Sequence, residues 1–358
     1  IIHLEEQIMN NSMLAAVLHA PGDLRIEHVP IPKPSENQVL VHVKAAGICG
    51  SDLPRIMVNG TYHFPTIPGH EFCGEIAQTG TNVSGLSVGD RVLVAPILPC
   101  GKCDSCQQGH YGQCDNYNYL GSRTDGGFAE YVAAPAENII DLPDSVTFLE
   151  GAAVEPAAVT LHGIMRLKFR AGDCAVVLGC GAIGLFAIQF AKIMGATDII
   201  AVDINNEKLD FAKQAGATHL INSMKKDALA EINSITKTAG ADVVIETAGS
   251  NITQVQSIQV CKKHGQILYL GTAHKDVVLS PKVFEHIIRR EITITGSWNS
   301  YSAPFPGREW FAVLRFIEQG SLKISPFITH QFPLKKAPEV IHDMSERKFT
   351  YNKVILTI

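Results

Sequence analysis

The stretch Cys174-Ala-Val-Val-Leu-Gly-Cys-Gly-Ala-Ile-Gly184 decides the fold of the central part of the chain. An apolar strand, Cys174–Leu178, runs into a Gly-x-Gly-x-x-Gly turn, and a helical pattern follows. Gly179 permits the tight turn, Gly181 lets the backbone approach a pyrophosphate, and Gly184 lets helix and strand pack closely. Alone, this motif is often only a glycine turn, but between a strand and a helix it predicts a dinucleotide site.

The residues after this turn indicate which dinucleotide binds. Asp203 ends the next predicted strand, where a carboxylate can accept hydrogen bonds from both hydroxyls of an adenosine ribose. It would repel a 2′-phosphate, and the next three residues include no arginine, so we predict NAD rather than NADP. The alternative is a solvated acid at a strand end. The predicted cofactor contacts are Gly179, Gly181, Ala182, Ile183, Gly184, Asp203 and Lys208.

Strands and helices alternate around the turn, from about residue 160 to residue 295. Six short β-branched runs are predicted strands: Cys174–Leu178, Ile199–Asp203, Thr218–Ile221, Asp242–Glu246, Gln266–Leu270 and Glu291–Thr295. Helical patterns between them include Leu185–Met194, Glu207–Gln214 and Pro281–Arg290. The alternation of strands and helices indicates an α/β domain with a doubly wound, six-stranded parallel sheet.

The flanking segments differ from this pattern. In residues 13–159, short strands are broken by Gly and Pro, and Val39, Val41 and Val43 alternate as in a half-buried strand. We predict an antiparallel, barrel-like or sandwich-like region there. Residues 296–358 return to loops, one helix and a final strand, so they complete the mainly-β domain into which residues 160–295 are inserted.

Four cysteines form a C-x2-C-x2-C-x7-C pattern in the loop 99–115: Cys100, Cys103, Cys106 and Cys114. Short spacers with turn-forming glycines suit a tetrahedral zinc held by four thiolates. Ordinary thiols, or one or two disulfides, are the alternatives. Four thiolates leave no open coordination position, so this metal would be structural and the reactive centre would lie elsewhere.

Composition excludes several other classes. The chain has 358 residues and a net charge of −5, which suggests two domains and gives no reason to expect nucleic acid or an anionic membrane as a partner. No apolar stretch approaches the roughly 20 residues of a membrane helix. Residues 1–12 lack the features of a secretory signal, and we expect a leader or vector-derived remnant outside the fold. Nine cysteines, four of them in a metal pattern, fit a reducing cytoplasm.

A second, open metal site is predicted from three further residues. Cys49 lies in Gly47-Ile-Cys-Gly-Ser-Asp52, His70 in Pro68-Gly-His-Glu71, and Glu155 before Pro156. Thiolate, imidazole and carboxylate all bind zinc, and three ligands leave a fourth position open. Each residue could also have a purely structural role: Cys49 as a buried thiol, His70 as a core histidine and Glu155 as an acid at the start of a helix. Sequence separation alone does not show that they converge.

The combination of motifs resembles the zinc-dependent medium-chain alcohol/polyol dehydrogenase family. The resemblance rests on Cys49-Gly-Ser-Asp52, Gly69-His-Glu71, the four-cysteine loop, Glu155-Pro156 and Gly179–Gly184, and it covers nearly the whole chain. Many alcohol dehydrogenases carry a cysteine at the position of Glu155. A glutamate there resembles the polyol branch of the family. The resemblance implies a Rossmann domain inserted in a GroES-like catalytic domain, and two zinc ions per subunit.

Residue roles follow from this resemblance. It implies that Cys49, His70 and Glu155 hold the catalytic zinc and that Glu71 lies beside the metal. Asp52 would accept a hydrogen bond from His70. The remaining implied roles are a proton path at Ser51 and a nicotinamide contact at Val159.

Substrate residues are implied by three longer segments: Cys49–Ile56, Gly121–Tyr131 and Gly296–Gly307. They resemble the bacterial members of this family that oxidise galactitol 1-phosphate. Arg55 and Arg123 are candidates for binding its phosphate, because a planar guanidinium can bind phosphate bidentately. Trp298, Asn299 and Tyr301 are expected to line the polyol pocket.

Several alternatives remain. An unphosphorylated polyol such as sorbitol or xylitol, or L-threonine, could be the substrate. A zinc-free NADPH-dependent reductase should lack the metal residues, and a non-enzymatic NADH-reading regulator would tolerate their loss. The resemblance implies a homodimer or homotetramer, and the predicted strand Glu291–Thr295 offers an edge for pairing.

Overall fold

Residues 11–358 are described by the structure, a computed structural model, and they divide into two units. The first contains 11–155, 301–314 and 324–358, and the second contains 156–300 and 315–323. The domain boundaries at 159/160 and 295/296 stay a prediction. The expected leader lies, up to residue 10, outside the described residues, whereas Ser12 already pairs with Pro30 in the first strand and so belongs to the fold.

The strands are β1 (Ser12–Ala20), β2 (Asp23–Pro30), β3 (Gln38–Ile48), β4 (Glu71–Thr79), β5 (Arg91–Val94), β6 (Ile97–Leu98), β7 (Asn118–Tyr119), β8 (Tyr131–Pro135), β9 (Ile139–Asp141), β10 (Cys174–Leu178), β11 (Asp198–Asp203), β12 (His219–Asn222), β13 (Ala241–Glu246), β14 (Cys261–Tyr269), β15 (Thr293–Gly296), β16 (Ile328–Pro333) and β17 (Lys353–Thr357). The longer helices are α1 (Val154–Ile164), α2 (Ala182–Ile193), α3 (Asn206–Ala215), α4 (Ala228–Ile235), α5 (Asn251–Val260), α6 (Pro281–Arg289), α7 (Arg308–Glu318) and α8 (Ala337–Ser345). Shorter helical segments are Asp52–Pro54, Arg55–Asn59, Asp104–Gln107, Tyr111–Gln113, Ala136–Asn138, Phe148–Gly151, Ser325–Phe327 and Leu334–Lys336.

The second unit contains the predicted six-stranded parallel sheet. Its strand order is β12-β11-β10-β13-β14-β15, and every neighbouring pair is parallel. The order reverses between β10 and β13, and ligands of doubly wound sheets bind beyond the carboxyl ends of the strands at such a point. The glycine turn follows β10, so the predicted dinucleotide motif lies at this reversal. The α/β fold class is confirmed.

Several element boundaries in the second unit differ from the prediction, most of all at β14, which begins at Cys261 instead of Gln266. The last strand begins at Thr293 instead of Glu291, because Glu291 has a φ of 49° and its N–H donates to the carbonyl of Ile288 in the turn after α6. In addition, α1 runs continuously through residue 159, where the sequence pattern placed a domain boundary. The sequence did not predict this continuous helix, because residue types alone do not show which backbone groups form helical hydrogen bonds.

The first unit is built on a seven-stranded sheet with the order β16-β17-β3-β4-β5-β9, and β8 pairs with β3. Most pairs are antiparallel, as predicted, but β16 and β17 are parallel. This parallel pair lies outside residues 13–159, for which the antiparallel arrangement was predicted, and α8 connects β16 to β17 as the crossover that parallel strands require. Val39, Val41 and Val43 are fully buried in the core of this unit.

None of the helices in residues 11–358 combines the length and the apolar character that crossing a membrane requires.

Candidate active site

The pairing of β3 with β4 brings Cys49 and His70 together. Gly47 near the end of β3 is the register partner of Glu71 at the start of β4, so the residues that flank these positions face each other. Cys49 follows β3, and its backbone N–H donates to Asp52 Oδ2 at 3.0 Å. The carboxylate thus fixes the turn that presents the thiol.

Three potential metal ligands converge at this place: Cys49, His70 and Glu71. One donor atom from each lies within 4.8 Å of the others. Glu155, the predicted third ligand, is not among these three. Its carboxylate accepts a hydrogen bond from Tyr119 Oη at 3.3 Å, and burial raises the pKa of Glu155 to about 7. The assignment of Glu155 to zinc stays a prediction.

Glu71 also forms a buried ion pair with Lys353, the first residue of β17. Lys353 Nζ donates to Glu71 Oε2 and, at 3.1 Å, to the carbonyl of Ile48. Burial lowers the pKa of Lys353, but Glu71 and its acidic neighbours outweigh burial and raise the pKa above its usual value. Lys353 therefore remains a cation beside the candidate metal site.

Asp52 is fully buried and lies between two bases. Its Oδ1 is 3.0 Å from Arg55 Nη1 and 3.3 Å from His70 Nδ1. The contact with His70 lacks hydrogen-bond geometry, and Nδ1 has no hydrogen-bond partner among the described residues. Burial raises the pKa of Asp52, but a protonated His70, Arg55 and the N–H of Cys49 outweigh burial and lower it; when His70 is neutral, Arg55 and this N–H still favour the carboxylate.

The charges of this cluster test whether its residues fit a metal ion. Its ionisable side chains are four acids and two bases: Cys49, Asp52, Glu71, Glu155, Arg55 and Lys353. With His70 neutral, as a metal ligand must be, full ionisation leaves two negative charges without a partner. Buried charges require compensation, and a divalent cation would supply it. Thiolate, imidazole and carboxylate therefore fit a zinc ion here.

The predicted structural site is also assembled. The thiols of Cys100, Cys103, Cys106 and Cys114 lie within 4.8 Å of one another, and none of these cysteines forms a disulfide. Backbone N–H groups of Lys102 and Cys103 lower the pKa of Cys100 to about 6. Removal from water raises the pKa of Cys106 and of Cys114. Four thiols this close together, none of them in a disulfide, fit a tetrahedral zinc.

The glycine turn of the second unit has the expected backbone. Gly179 has a φ of 97°, and a Cβ on Gly184 would clash with the carbonyl oxygen of Gly179. By contrast, a Cβ on Gly181 would meet nothing within 4 Å, so space is open before the N-terminus of α2. Free N–H groups at such a terminus bind phosphate. The turn therefore fits a dinucleotide pyrophosphate.

Asp203 has a structural role that the sequence did not reveal. Its Oδ2 accepts from the N–H of Cys180 at 2.7 Å, and its Oδ1 accepts from the N–H of Asn205 at 2.9 Å. The side chain thus ties the glycine turn to the end of β11. Lys208 lies in the first turns of α3 and Val159 lies in α1; their cofactor contacts stay predictions.

Arg123 is the cation of this region without a carboxylate partner. Its guanidinium carbon lies 4.1 Å from the Tyr62 ring centroid and 4.3 Å from that of Tyr117. Among residues 11–358, no carboxylate lies within ion-pair distance of it, and its buried Nε lacks a hydrogen-bond partner. Arg55, in contrast, is paired with Asp52.

The remaining predicted residues lie in different places. Ser51 is exposed, and its hydroxyl donates to Cys49 Sγ at 3.3 Å. Trp298 is 55% exposed and, like Asn299, belongs to the second unit. Tyr301 belongs to the first unit, is 2% exposed, and accepts from the N–H of Ile97 at 3.3 Å. That these residues bind substrate stays a prediction.

Two site residues were missed by sequence reasoning. Tyr119 contacts Glu155 and lies edge-on to His70, with 5.8 Å between ring centroids. Lys353 holds Glu71 from a strand more than 280 residues away. A lysine at the start of the apolar run Val-Ile-Leu was a signal for the second residue, because lysine is almost never fully buried without a partner.

Comparison with known proteins agrees with this architecture. Residues 35–144 match the model of the alcohol dehydrogenase GroES-like domain, and residues 182–319 match that of the zinc-binding dehydrogenase. The chain belongs to the zinc-dependent medium-chain alcohol/polyol dehydrogenase family, as its motifs predicted. It is therefore an oxidoreductase of the zinc type with a nicotinamide-binding Rossmann domain.

Its relatives include proteins with different substrates in their names. Galactitol 1-phosphate 5-dehydrogenase of Escherichia coli K12 is 36% identical over 345 residues, 96% of this chain and 99% of the relative. Sorbitol dehydrogenase of Bacillus subtilis 168 is 33% identical and covers 97% of this chain and 96% of its own. The crystal structure of the E. coli galactitol-1-phosphate dehydrogenase matches with a TM-score of 0.91, 36% identity, and coverage of 97% and 100%. A zinc-binding dehydrogenase of Sinorhizobium meliloti 1021, solved with NADP, matches with a TM-score of 0.90, 32% identity, and coverage of 97% and 99%.

Proposed function

We propose that this protein oxidises a secondary alcohol of a polyol phosphate, with galactitol 1-phosphate as substrate and NAD as hydride acceptor, and releases the keto-sugar phosphate and NADH. The name of the 36% identical relative supports the substrate. The structural observation that carries it is that the guanidinium of Arg123, which donates to Tyr62 Oη at 3.2 Å and stacks on two tyrosine rings, has no carboxylate partner among residues 11–358, since a phosphorylated substrate requires a cation.

The position of Arg123 supports a role in substrate binding. The N–H of Gly127 donates to the carbonyl of Gly69 at 2.7 Å, which attaches the loop after Arg123 to the residue before His70. The rings of Tyr62 and Tyr117 hold the guanidinium in place. A preordered cation loses little entropy when it binds a phosphate.

The chain's own residues supply binding, orientation and a proton path. When bound, zinc would act as a Lewis acid on the substrate hydroxyl, and NAD would accept the hydride. The Ser51 hydroxyl is exposed beside Cys49, so it can accept the alcohol proton while its own proton passes to solvent water. Asp52 holds the backbone of Cys49 in place and balances Arg55. Tyr119 orients the Glu155 carboxylate.

We expect the wild-type protein to reduce NAD with galactitol 1-phosphate and much more slowly with galactitol. The variant Arg123→Gln should lose about tenfold to a hundredfold in kcat/KM for the phosphorylated substrate only, because a charge-assisted hydrogen bond contributes about 1.5–3 kcal/mol. Initial rates at 340 nm, with both substrates and both proteins, measure this.

The control for this test is Arg55→Gln. Because Arg55 neutralises Asp52 beside His70, its loss should lower the rates with galactitol 1-phosphate and with galactitol by the same factor. Equal losses on both substrates for Arg123→Gln would contradict its role as the phosphate ligand. Comparable wild-type rates on free polyols would instead favour the second candidate, a sorbitol-type dehydrogenase, for which a 33% identical relative is named.

Replacing Asp203 tests the choice of dinucleotide. We expect Asp203→Asn to reduce the preference for NAD over NADP by at least about tenfold, because a charged acceptor for the ribose hydroxyls is lost and repulsion of a 2′-phosphate disappears. The measurement is kcat/KM with each dinucleotide at saturating substrate. Asp198→Asn, at the other end of the same strand, is the control and should leave the ratio unchanged. A wild-type preference for NADP would refute the proposal of NAD.

A cytoplasmic location and assembly as a homodimer or homotetramer are also part of this proposal. They rest on the cysteine usage and on the family resemblance.

A further inference from the structure

Glu246 is a fully buried acid at the carboxyl end of β13. In the register of the parallel sheet, it is the partner of Leu178 at the end of β10 and of Tyr269 at the end of β14. It therefore lies at the reversal of strand order, next to the strand that leads into the glycine turn. Acidic side chains are almost never fully buried unless they have partners, so the partners of this carboxyl group indicate what it stabilises.

The carboxyl group of Glu246 holds the loop that follows β13. Its Oε1 accepts hydrogen bonds from the N–H of Ala248 at 2.9 Å, from the N–H of Gly249 at 3.0 Å and from Thr253 Oγ1 at 2.8 Å. Thr253 lies in the first turn of α5, so one oxygen atom joins the loop to the start of this helix. Without this acceptor, the three donors would lose the partner that they share and the loop would lose its fixed conformation.

The loop that follows β14 is attached at the same place. The N–H groups of Leu270 and Gly271 both donate to the carbonyl of Glu246, at 2.9 and 3.1 Å. A Cβ on Gly271 would overlap the nitrogen of Gly249 and come within 2.7 Å of Glu246 Oε2. Only a residue without a side chain fits between the two loops, so their separation is fixed.

The loop after β13 also contacts the glycine turn. Thr247 Oγ1 donates to the carbonyl of Gly179 at 2.9 Å, and a Cβ on Gly179 would come within 2.9 Å of Ala248. Ala248 itself is exposed, so the loop presents an open surface beside the turn that fits the pyrophosphate. Glu246, which is buried beneath this loop, therefore sets the position of that surface.

The strand order indicates which half of a dinucleotide lies on this surface. A dinucleotide crosses a doubly wound sheet at the reversal of strand order, with one nucleoside on each side. Asp203, the predicted partner of the adenosine ribose, ends β11 on one side of β10. The loops after β13 and β14 lie on the other side, which leaves them for the nicotinamide half.

We propose that Glu246 is a positioning residue for the nicotinamide half of the dinucleotide: it holds the loop after β13 against the glycine turn and so shapes the surface on which this half binds. Glu246 acts through Ala248 and Gly249 and touches neither substrate nor cofactor. The proposal rests on the nicotinamide-binding Rossmann domain and does not depend on which polyol is oxidised.

Binding measurements without substrate test this, because they separate the two halves of the cofactor. NADH contains both halves, whereas ADP contains only the adenosine half. Glu246→Met keeps the length of the side chain but removes the acceptor. We expect this variant to raise the Kd of NADH by about tenfold, while the Kd of ADP stays within about twofold of the wild type. Nicotinamide fluorescence measures NADH binding, and isothermal titration calorimetry measures ADP binding.

Three further variants separate positioning from general damage. Glu246→Gln retains an oxygen acceptor at the same length, so its Kd for NADH should lie within about threefold of the wild type. Asp242→Asn, at the opposite end of β13, is the control and should change neither Kd. Asp203→Asn should weaken the binding of NADH and of ADP by the same factor, because both contain the adenosine ribose.

Gly271→Ala tests the same contact in a chain that keeps Glu246. The added Cβ would overlap Gly249 and crowd Glu246 Oε2, so the loop after β13 must shift. We expect the Kd of NADH to rise by at least about fivefold and that of ADP to stay unchanged. This variant supplies the measurement even where Glu246→Met fails to fold.

Three results would overturn the inference: an unchanged Kd of NADH in Glu246→Met and Gly271→Ala, equal losses of NADH and ADP binding in both, or a Glu246→Gln variant that binds NADH as weakly as Glu246→Met. Failure of the proposed function is distinct from all three. It would appear as a wild-type protein that binds NADH but reduces NAD with none of the polyols.

Discussion

Replacing Cys49 by alanine is expected to lower kcat/KM by about a thousandfold or more and to remove one zinc ion per chain. The reason is that the open metal site supplies several kcal/mol of transition-state stabilisation, and each 1.36 kcal/mol corresponds to a tenfold change in rate. Thermal stability should change little, because Cys49 is partly exposed at the end of a strand. Zinc content by atomic emission, together with NAD reduction rates, measures the effect.

Cys174→Ala is the matched control for this prediction. Cys174 is a partly exposed thiol at the start of β10 in the second unit, so its loss should change neither zinc content nor rate beyond about twofold, as for ordinary surface substitutions. Full zinc content in Cys49→Ala would contradict the assignment of the ligand. Retained activity after verified loss of that zinc would overturn the mechanism.

Replacing Cys103 by serine is expected to destabilise the protein strongly while also removing one zinc ion per chain. Loss of a structural metal can cost about 4 kcal/mol or more, which corresponds to a fall in Tm of roughly 8–16 °C for a domain of this size. A closed four-thiolate site takes no part in the reaction, so at low temperature the remaining folded protein should keep its kcat. Differential scanning calorimetry and zinc analysis measure the two effects.

Chelation distinguishes a metal from the disulfide alternative at this loop. A strong chelator should lower the Tm of the wild type but leave that of Cys103→Ser unchanged, whereas a reductant should have no effect on either. If a reductant alone destabilised the wild type, the four cysteines would instead be paired as disulfides, contrary to the free thiols observed at Cys100, Cys103, Cys106 and Cys114.

Local patterns predicted the second unit well. The run Cys174–Leu178 is a strand with the predicted limits, and the glycine turn after it has the positive φ at Gly179 that the motif requires. These features depend on neighbours along the chain, such as a β-branched run, a residue without Cβ and a helix start. The same holds for the four-cysteine loop, whose ligands lie within 15 consecutive residues.

Sequence patterns did not predict those features in which the interacting residues are far apart along the chain. The parallel pairing of β16 with β17 reflects a crossover helix that residue types do not specify. Likewise, the sequence offered both Arg55 and Arg123 as candidates for binding phosphate. Only the structure showed that the first is neutralised by Asp52 and that the second is stacked between two tyrosines.

By itself, the sequence determined the doubly wound sheet, the dinucleotide turn, the four-cysteine metal loop and the identity of Cys49 and His70 as candidate ligands. Only the tertiary structure decided that Lys353 forms an ion pair with Glu71. The physical reason is that the period of a strand and the spacing of ligands in a loop depend on residues that are close together along the chain. An ion pair between β4 and β17 arises only when β3, which lies between these strands, aligns both of them.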